Sequence, residues 1–243
     1  MVERIVFIHL PGETEAVPAG RLAMIEQGLQ VQASIFAYGR RYAARGNALP
    51  VDPVALPLEP GRNGEERVPT AGLALFGALR DATPDAWGRR VIENRLRAPP
   101  NGLPESVYLD HAGPHRAGAL DVRESPTSLP AGGALPSILD LRHLLDAAAR
   151  IEEGEPVPAH LEVFFAGGPS VGGARPKAVV SVDGGEWIAK FPASNDPFNV
   201  PLIERATLEL AREAGLVVPR TRLEMLADGR QVMLVERFDR ERL

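Results

Sequence analysis

The first forty residues alternate short apolar runs with proline and glycine, a pattern typical of β-strands. Three such runs occur at residues 5–10, 22–25 and 31–38, and they predict a small β-rich unit at the start of the chain. Residues 48–69 are instead crowded with proline, glycine and charged side chains. That composition predicts an extended crossing segment, with its apolar residues against a neighbour, rather than a helix.

Helical signals follow the extended segment. Residues 73–80 suit one helix, and a second helix is predicted over residues 86–96. Thr83 is the predicted N-cap of the second helix, Pro84 suits its first turn, and Asp85 adds an early acidic side chain. The two segments together predict a helical hairpin.

Apolar stripes predict which helix faces are buried. The i, i+4, i+5 stripe that begins at Trp87 is typical of core packing. After residue 102 the pattern becomes irregular, and residues 123–136 look like a surface loop. Ser137 then predicts the cap of a further amphipathic helix, which ends near Gly154.

The last third of the chain predicts a hairpin, a helix and a second hairpin. Asp-Gly pairs separate the strands of each hairpin, as in tight antiparallel turns. The predicted elements are strands at 177–182 and 186–191, a helix at about 202–214 that ends at Gly215, and strands at 222–227 and 231–236. The fold class predicted from the whole pattern is α+β.

Composition narrows the function classes. The chain is 44% hydrophobic and 24% charged, which is typical of a globular protein. Its net charge of -5 provides no global positive field that would attract the chain to nucleic acid or to an anionic membrane. The absence of cysteine excludes disulfides and thiolate chemistry. With no signal-peptide pattern and no long apolar run, we expect a soluble cytoplasmic protein.

A glycine-rich stretch at residues 166–177 runs directly into the first predicted hairpin strand. Backbone N–H groups of such loops approach phosphate oxygens closely, and Lys177 can neutralise phosphate charge, so the stretch fits a phosphate cradle. It is not a Walker P-loop, because Lys177 follows proline and opens a strand rather than a helix. An ordinary flexible turn is the alternative.

Two further features, a lysine–glutamate pair and a strand end, fit a nucleotide site. Lys190 ends the second hairpin strand and Glu204 lies early on the next helix, an order typical of the protein-kinase small lobe. Residues 235–239 change abruptly from apolar to charged, as in a hinge that presents backbone groups to adenine. Taken alone, Lys190 could instead be a solvent-exposed strand lysine. Residues 235–239 taken alone could instead be a strand that simply ends at the surface.

Several motifs together resemble the HipA family of bacterial toxins, over nearly the whole chain. In the last third these are GGARPKA, WIAKFP, LAREAGLVVP after Glu204, and VERFDR. Upstream they are the segments SIFAYGRRYAARGNALPVDPVALPL, ATPDAWGRRVIE and AGPHRAGAL. The resemblance implies a β-rich N-terminal subdomain with a helical hairpin (residues 1–105), a connecting segment and helix (106–160), and a kinase-like ATP-binding small lobe (161–243).

The resemblance also implies an activity and partners. Family members are serine/threonine protein kinases of type II toxin-antitoxin pairs that use ATP and Mg²⁺. A HipB-like helix-turn-helix antitoxin regulates them, so contact with nucleic acid is indirect, and the family suggests a translation-related protein as substrate. Ser170 matches the position whose autophosphorylation ejects the loop and switches ATP binding off. The implied ATP-binding residues are Ser170, Val171, Gly172, Gly173, Ala174, Lys177, Lys190, Glu204, Glu236, Phe238 and Asp239, with Lys190 on the phosphates, Glu236 and Phe238 at the hinge, and Asp239 towards the ribose.

The sequence departs from the family pattern at its end. Family members continue into a helical large lobe with the catalytic-base aspartate and most Mg²⁺ ligands, whereas this chain ends at Leu243. No catalytic or metal-binding residue is assigned here, and we expect a fragment that is inactive or nearly so alone, because phosphoryl transfer needs both groups. A non-catalytic, antitoxin-binding or regulatory module is the alternative.

Two other classes fit less well. A metalloenzyme would need a ligand cluster, but His111 and His115 straddle a Gly-Pro pair, which breaks the helix that an i, i+4 ligand pair requires. Residues 168–172 match the Gly-x-Ser-x-Gly pattern of hydrolases. That elbow requires a following helix, whereas a strand is predicted here.

Overall fold

The computed structural model describes residues 1–62, 64–130, 132–162 and 171–240. Within them the chain forms two antiparallel four-stranded sheets with several helices, so the predicted α+β class is confirmed. No helix of the described residues is both long and apolar enough to cross a bilayer.

The first sheet contains the three strands predicted near the start of the chain. It has the order β3-β2-β1-β4. The strands are β1 (Val2–Ile8), β2 (Val17–Gln27), β3 (Gln30–Tyr38) and β4 (Leu120–Arg123). β2 is longer than predicted, and Gly20 within it lies under the ring of Phe36. A Cβ at Gly20 would lie 2.4 Å from Phe36 Cζ, so a side chain there would displace the ring.

The described part of the extended segment predicted over residues 48–69 contains no helix or named strand, as expected. It follows the short helix α1 (Arg40–Ala43). The Tyr38 hydroxyl donates to the Leu56 carbonyl at 2.5 Å and accepts from the Val51 N–H at 2.8 Å. This buried hydroxyl ties the segment to the first sheet.

The helices of the middle region differ in part from the prediction. They are α2 (Gly77–Asp81), α3 (Ala86–Leu96) and α4 (Glu105–His111). α2 is shorter than the predicted 73–80. The prediction of Thr83 as N-cap of α3 is wrong, because Pro84 and Asp85 stay outside the helix and Asp85 is the N-cap. The Thr83 hydroxyl instead donates to the Arg80 carbonyl at 2.7 Å.

Two elements, α4 and β4, lie where the sequence pattern is irregular. Their support comes from distant residues: Glu26 accepts from the Ser106 N–H at 2.8 Å and its hydroxyl at 2.7 Å. Arg4 forms a bidentate ion pair with Asp110. β4 pairs with β1. Such contacts over long sequence separations leave no local periodicity to detect.

The predicted helix after Ser137 is confirmed. A 3₁₀ turn leads into α5 (Leu141–Glu153), and Ser137 forms a capping box with Asp140. Gly154 ends α5 in the left-handed conformation, with φ of 72°. A short helix, α6 (Ala159–Glu162), follows.

The second sheet contains both predicted hairpins and has the order β5-β6-β8-β7. Its elements are β5 (Lys177–Val182), β6 (Gly185–Lys190), α7 (Val200–Glu213), β7 (Thr221–Met225) and β8 (Gln231–Glu236). Asp183 and Gly184 join β5 to β6 with positive φ angles of 51° and 75°. One face of this sheet packs on α3 and α5 to form the second core, which includes Trp87.

Candidate nucleotide site

Two lysine side chains project from the same face of the second sheet. Lys177 begins β5, Lys190 ends β6, and the antiparallel register places them directly opposite each other. The alternate residues Ala178 and Ala189 belong to the second core, so the lysines point away from it. Opposed Cβ atoms in such strands lie about 5 Å apart, and like charges at that spacing repel each other. Neighbouring carboxylates or a bound anion must offset this repulsion.

Lys177 and Lys190 are also the only lysines in the sequence, since the other 25 basic residues are arginine. Lysine presents a compact ammonium, whereas arginine presents a planar fork of donors. The two lysines therefore mark the positions where the chain uses a point charge. This usage is a sequence signal that motif and periodicity analysis does not capture.

Glu204 supplies the counter-charge for Lys190. Its carboxylate binds Lys190 Nζ, and both side chains keep more than a quarter of their surface exposed. Asn199 begins α7 as its N-cap, where its side chain accepts from the Leu202 N–H at 3.1 Å, and this start places Glu204 in the second turn. The structure thus brings together the strand lysine and the helix glutamate that the sequence nominated.

Lys177 is far more enclosed, with 7% of the residue exposed. Its ammonium donates to the Gly172 carbonyl. Burial lowers the pKa of Lys177, and the nearby charge of Lys190 lowers it further, against the opposing charge of Asp85. Burial in turn raises the pKa of Asp85. The two groups therefore share a poorly hydrated corner beside the glycine segment, residues 171–176.

The glycine segment depends on the absence of side chains. Gly172 and Gly173 have φ angles of 86° and 89°, a region that glycine adopts without strain. A Cβ at Gly173 would lie 2.6 Å from Lys177 Nζ. Val171 is half-buried and Ala174 is exposed. Ser170, the proposed phosphorylation site, lies outside the described residues.

The residues predicted to form the hinge lie at the other end of the sheet. Glu236 is opposite Trp187, three residues or about 10 Å along β6 from Lys190. Its side chain is on the core face and binds Arg220. Phe238 is 93% exposed, and Asp239 binds Arg237 at 2.7 Å. The structure does not bring these three side chains to the lysines.

A buried arginine at the hinge is a feature that the sequence analysis missed. The guanidinium of Arg237 donates to the carbonyls of His115 at 2.6 Å and Arg116 at 3.0 Å. It also binds Glu186 at 3.2 Å and Asp239. The motif that contains Arg237 has the composition of an exposed strand end, so its pattern gives no sign of this burial.

Glu186 completes the hinge network from β6. One oxygen lies 2.8 Å from His115 Nδ1 and the other faces Arg237. Burial raises the pKa of Glu186, but the hydrogen bond from His115 and the charges of Arg237 and Arg240 outweigh it. The resulting pKa lies below the ordinary value of 4.5. Glu186 is thus charged at neutral pH, and the network joins the second sheet to residues 115–116.

A separate cleft beside Asp183 is lined in part by Trp187 and three arginines. Each arginine has a carboxylate partner. The pairs are Arg212 with Glu209, Arg220 with Glu236, and Arg222 with Asp183 and Glu224. This cleft lies apart from the two opposed lysines and the glycine segment, which makes it a weaker candidate for a phosphate than the lysine face.

Within the described residues, the two histidines considered for a metal site do not come together. His111 lies 2.9 Å from Arg95, whereas His115 faces Glu186. The described parts of the chain contain no group of three or more histidine, aspartate and glutamate side chains that could hold a metal ion. After residue 170 the chain enters β5 rather than the helix that a hydrolase elbow requires.

Residues 169–243 match the family model of the HipA-like C-terminal domain. That region contains both lysines, Glu204 and the hinge residues. No curated protein matches the chain. The match supports a HipA-like family for this chain.

Proposed function

We propose that this chain carries the nucleotide-binding lobe of a HipA-like serine/threonine kinase, and that ATP binds with its phosphates at Lys177 and Lys190. The opposition of these two lysines on one sheet face is the observation that carries the proposal. Their mutual repulsion is unfavourable without a ligand, whereas a polyphosphate placed between them converts it into two attractive contacts.

Each residue of the site would have a separate task. Lys190, held by Glu204, would contact the α and β phosphates. Lys177 would exchange its bond to the Gly172 carbonyl for a phosphate oxygen. The backbone N–H groups of the glycine segment would approach the phosphates, because glycine leaves no side chain in the way.

The base of ATP would lie towards the hinge. The distance of about 10 Å along β6 between the Lys190 and Glu236 positions suits the span from phosphate to adenine. Contact with adenine would involve the backbone of residues 236–238, because the side chain of Glu236 binds Arg220 on the other face. Mg²⁺ would shield the phosphate charge, and we assign none of its ligands to the described residues.

Autophosphorylation of Ser170 would switch this site off. A phosphoserine carries a charge of about -2 at neutral pH. Since Ser170 lies one residue before the glycine segment, that charge would compete with ATP for the same two lysines. A HipB-like antitoxin and a protein substrate complete the proposed kinase context in the cytoplasm.

The first test is protection of the two lysines by ATP. The chain is treated with an amine-reactive reagent with and without Mg²⁺-ATP, and modification of Lys177 and Lys190 is measured by peptide mass spectrometry. We expect at least fivefold slower modification of both with ATP, and no effect on the N-terminal amine. Equal modification with and without ATP would contradict nucleotide binding at this face.

The second test is calorimetry of ATP binding by Lys190→Met, with Arg222→Met as the control. Arg222 lies on β7 of the same sheet, so its replacement removes one positive charge away from the lysine face. We expect at least a tenfold loss of affinity in Lys190→Met and less than twofold in Arg222→Met. Antitoxin binding without ATP binding by the unaltered chain would favour the non-catalytic module instead.

A further inference from the structure

Trp87 reaches the glycine segment from a helix ninety residues earlier in the chain. Its indole Nε1–H donates to the Lys177 carbonyl at 2.7 Å. Its backbone N–H donates to the Gly173 carbonyl at 3.2 Å. The ring is fully buried in the second core, between the sheet and α5. One residue of α3 thus bonds to the glycine segment at Gly173 and to Lys177, the residue that follows the segment.

The indole bond is specific in its chemistry. An indole has a single donor and no acceptor, so Trp87 can satisfy its N–H only by reaching an oxygen such as the Lys177 carbonyl. That carbonyl belongs to the residue whose ammonium faces the proposed phosphates. A displacement of the carbonyl would therefore move the Lys177 backbone and, with it, the start of its side chain.

Asp85, two residues before Trp87, acts on Lys177 through its charge. Asp85 lies beside the glycine segment, since a Cβ at Gly172 would be 3.8 Å from Asp85 Oδ2. Its Oδ1 has no hydrogen-bond partner within the described residues. The charges that act on Lys177 are those of Asp85, Lys190, Glu204 and Arg175. The start of α3 therefore contributes both a fixed position and a counter-charge.

We propose that Trp87 is a positioning residue of the nucleotide site, whose indole N–H fixes the Lys177 backbone and so sets where the Lys177 ammonium meets phosphate. This inference rests on the nucleotide binding proposed above. It extends the site to α3, a helix to which we assign no phosphate contact.

The chain offers a matched control in its second tryptophan. Trp187 lies in the same core and is 4% exposed, but its Nε1 makes no hydrogen bond within the described residues. Trp87→Phe and Trp187→Phe therefore remove similar volume from one core, and only the first removes a hydrogen bond to the site.

The experiment compares these two variants by ATP calorimetry and by the pH dependence of lysine acetylation. We expect Trp87→Phe to weaken ATP binding about fivefold to tenfold, in line with one lost hydrogen bond, and Trp187→Phe to weaken it less than twofold. In Trp87→Phe the acetylation midpoint of Lys177 should rise towards 10.5, its ordinary pKa, because burial is relaxed.

A double variant separates positioning from general damage to the fold. With Lys177→Met already present, Trp87→Phe should weaken ATP binding by less than twofold more. An undiminished loss in that background, or equal effects of the two tryptophan variants on Lys177 acetylation, would overturn the inference. If the unaltered chain does not bind ATP, the proposed function fails, and the acetylation midpoints alone still decide whether Trp87 positions Lys177.

Discussion

Lys177 and Lys190 face each other across β5 and β6, and each has its own carboxylate neighbour on a helix or at a helix start. Glu204 binds Lys190 directly, and Asp85 opposes the loss of charge on the buried Lys177. The two carboxylates come from different elements, and the two lysines remain opposite each other on one face of the sheet. An anion that enters this face meets two positive charges that the fold has already placed.

Replacement of Lys190 should separate stability from binding. Lys190→Met removes the repulsion with Lys177, and the Glu204 partner is partly exposed, so we expect the free energy of unfolding to stay within about 1 kcal/mol of the original. ATP affinity should fall at least tenfold. Urea unfolding and calorimetry measure the two quantities, and a stability loss above about 2 kcal/mol would indicate that the lysine is structural.

Gly173→Ala should lower ATP affinity more than the same change at Gly184. The new Cβ would lie 2.6 Å from Lys177 Nζ, and φ at this position is 89°. Gly184 also has a positive φ, but a Cβ there meets no atom within 4 Å, so Gly184→Ala is a control for backbone strain alone. We expect both variants to lose about 1–2 kcal/mol of stability, and only Gly173→Ala to lose ATP affinity. Similar affinities in the two variants would contradict this placement of Lys177.

Glu186→Gln should show a destabilisation that depends on pH. The pKa of Glu186 is lower in the folded chain than its ordinary value of 4.5, so its charge stabilises the fold above that pH. The contribution is lost as the pH falls through the folded pKa. Urea unfolding at pH 7 should therefore give a gap of about 1–3 kcal/mol between the original and the variant, and the gap should shrink below pH 4.5. A gap that stays constant down to pH 3 would argue against a charged Glu186 network.

Arg237→Met should destabilise the chain by about 2 kcal/mol or more, because it removes donations to two carbonyls and to the carboxylates of Glu186 and Asp239. Arg222→Met is again the control, since Arg222 is well exposed on β7. Thermal and urea unfolding should rank the variants in that order, and equal losses would show that the Arg237 network contributes little.

Tyr38→Phe tests the attachment of the extended segment. The change removes a hydroxyl that both donates to Leu56 and accepts from Val51. We expect a loss of about 1–3 kcal/mol and faster hydrogen exchange in residues 51–56, with little change in the second sheet. Uniform exchange changes in both sheets would instead indicate general unfolding.

Local signals predicted the second sheet well. Asp183-Gly184 and Asp228-Gly229 are turn sequences that specify tight hairpins. The order of β6 followed by α7 predicted that Lys190 and Glu204 would lie close together. The elements that the sequence did not predict depend on distant partners. β4 forms because β1 offers an edge, and Arg237 is buried because residues 115 and 116 present carbonyls more than a hundred positions away. Residue types and their spacing along the chain do not indicate such contacts.

The Arg237 contacts also bear on how the sequence can drift. Two of its acceptors are backbone carbonyls, at His115 and Arg116, and every residue type provides a carbonyl. Substitution at those two positions can therefore preserve this half of the contact, whereas substitution at 237 cannot. This contact therefore constrains the residue type at 237 alone, and the side chains of His115 and Arg116 are held by other bonds, to Glu186 and Asp121.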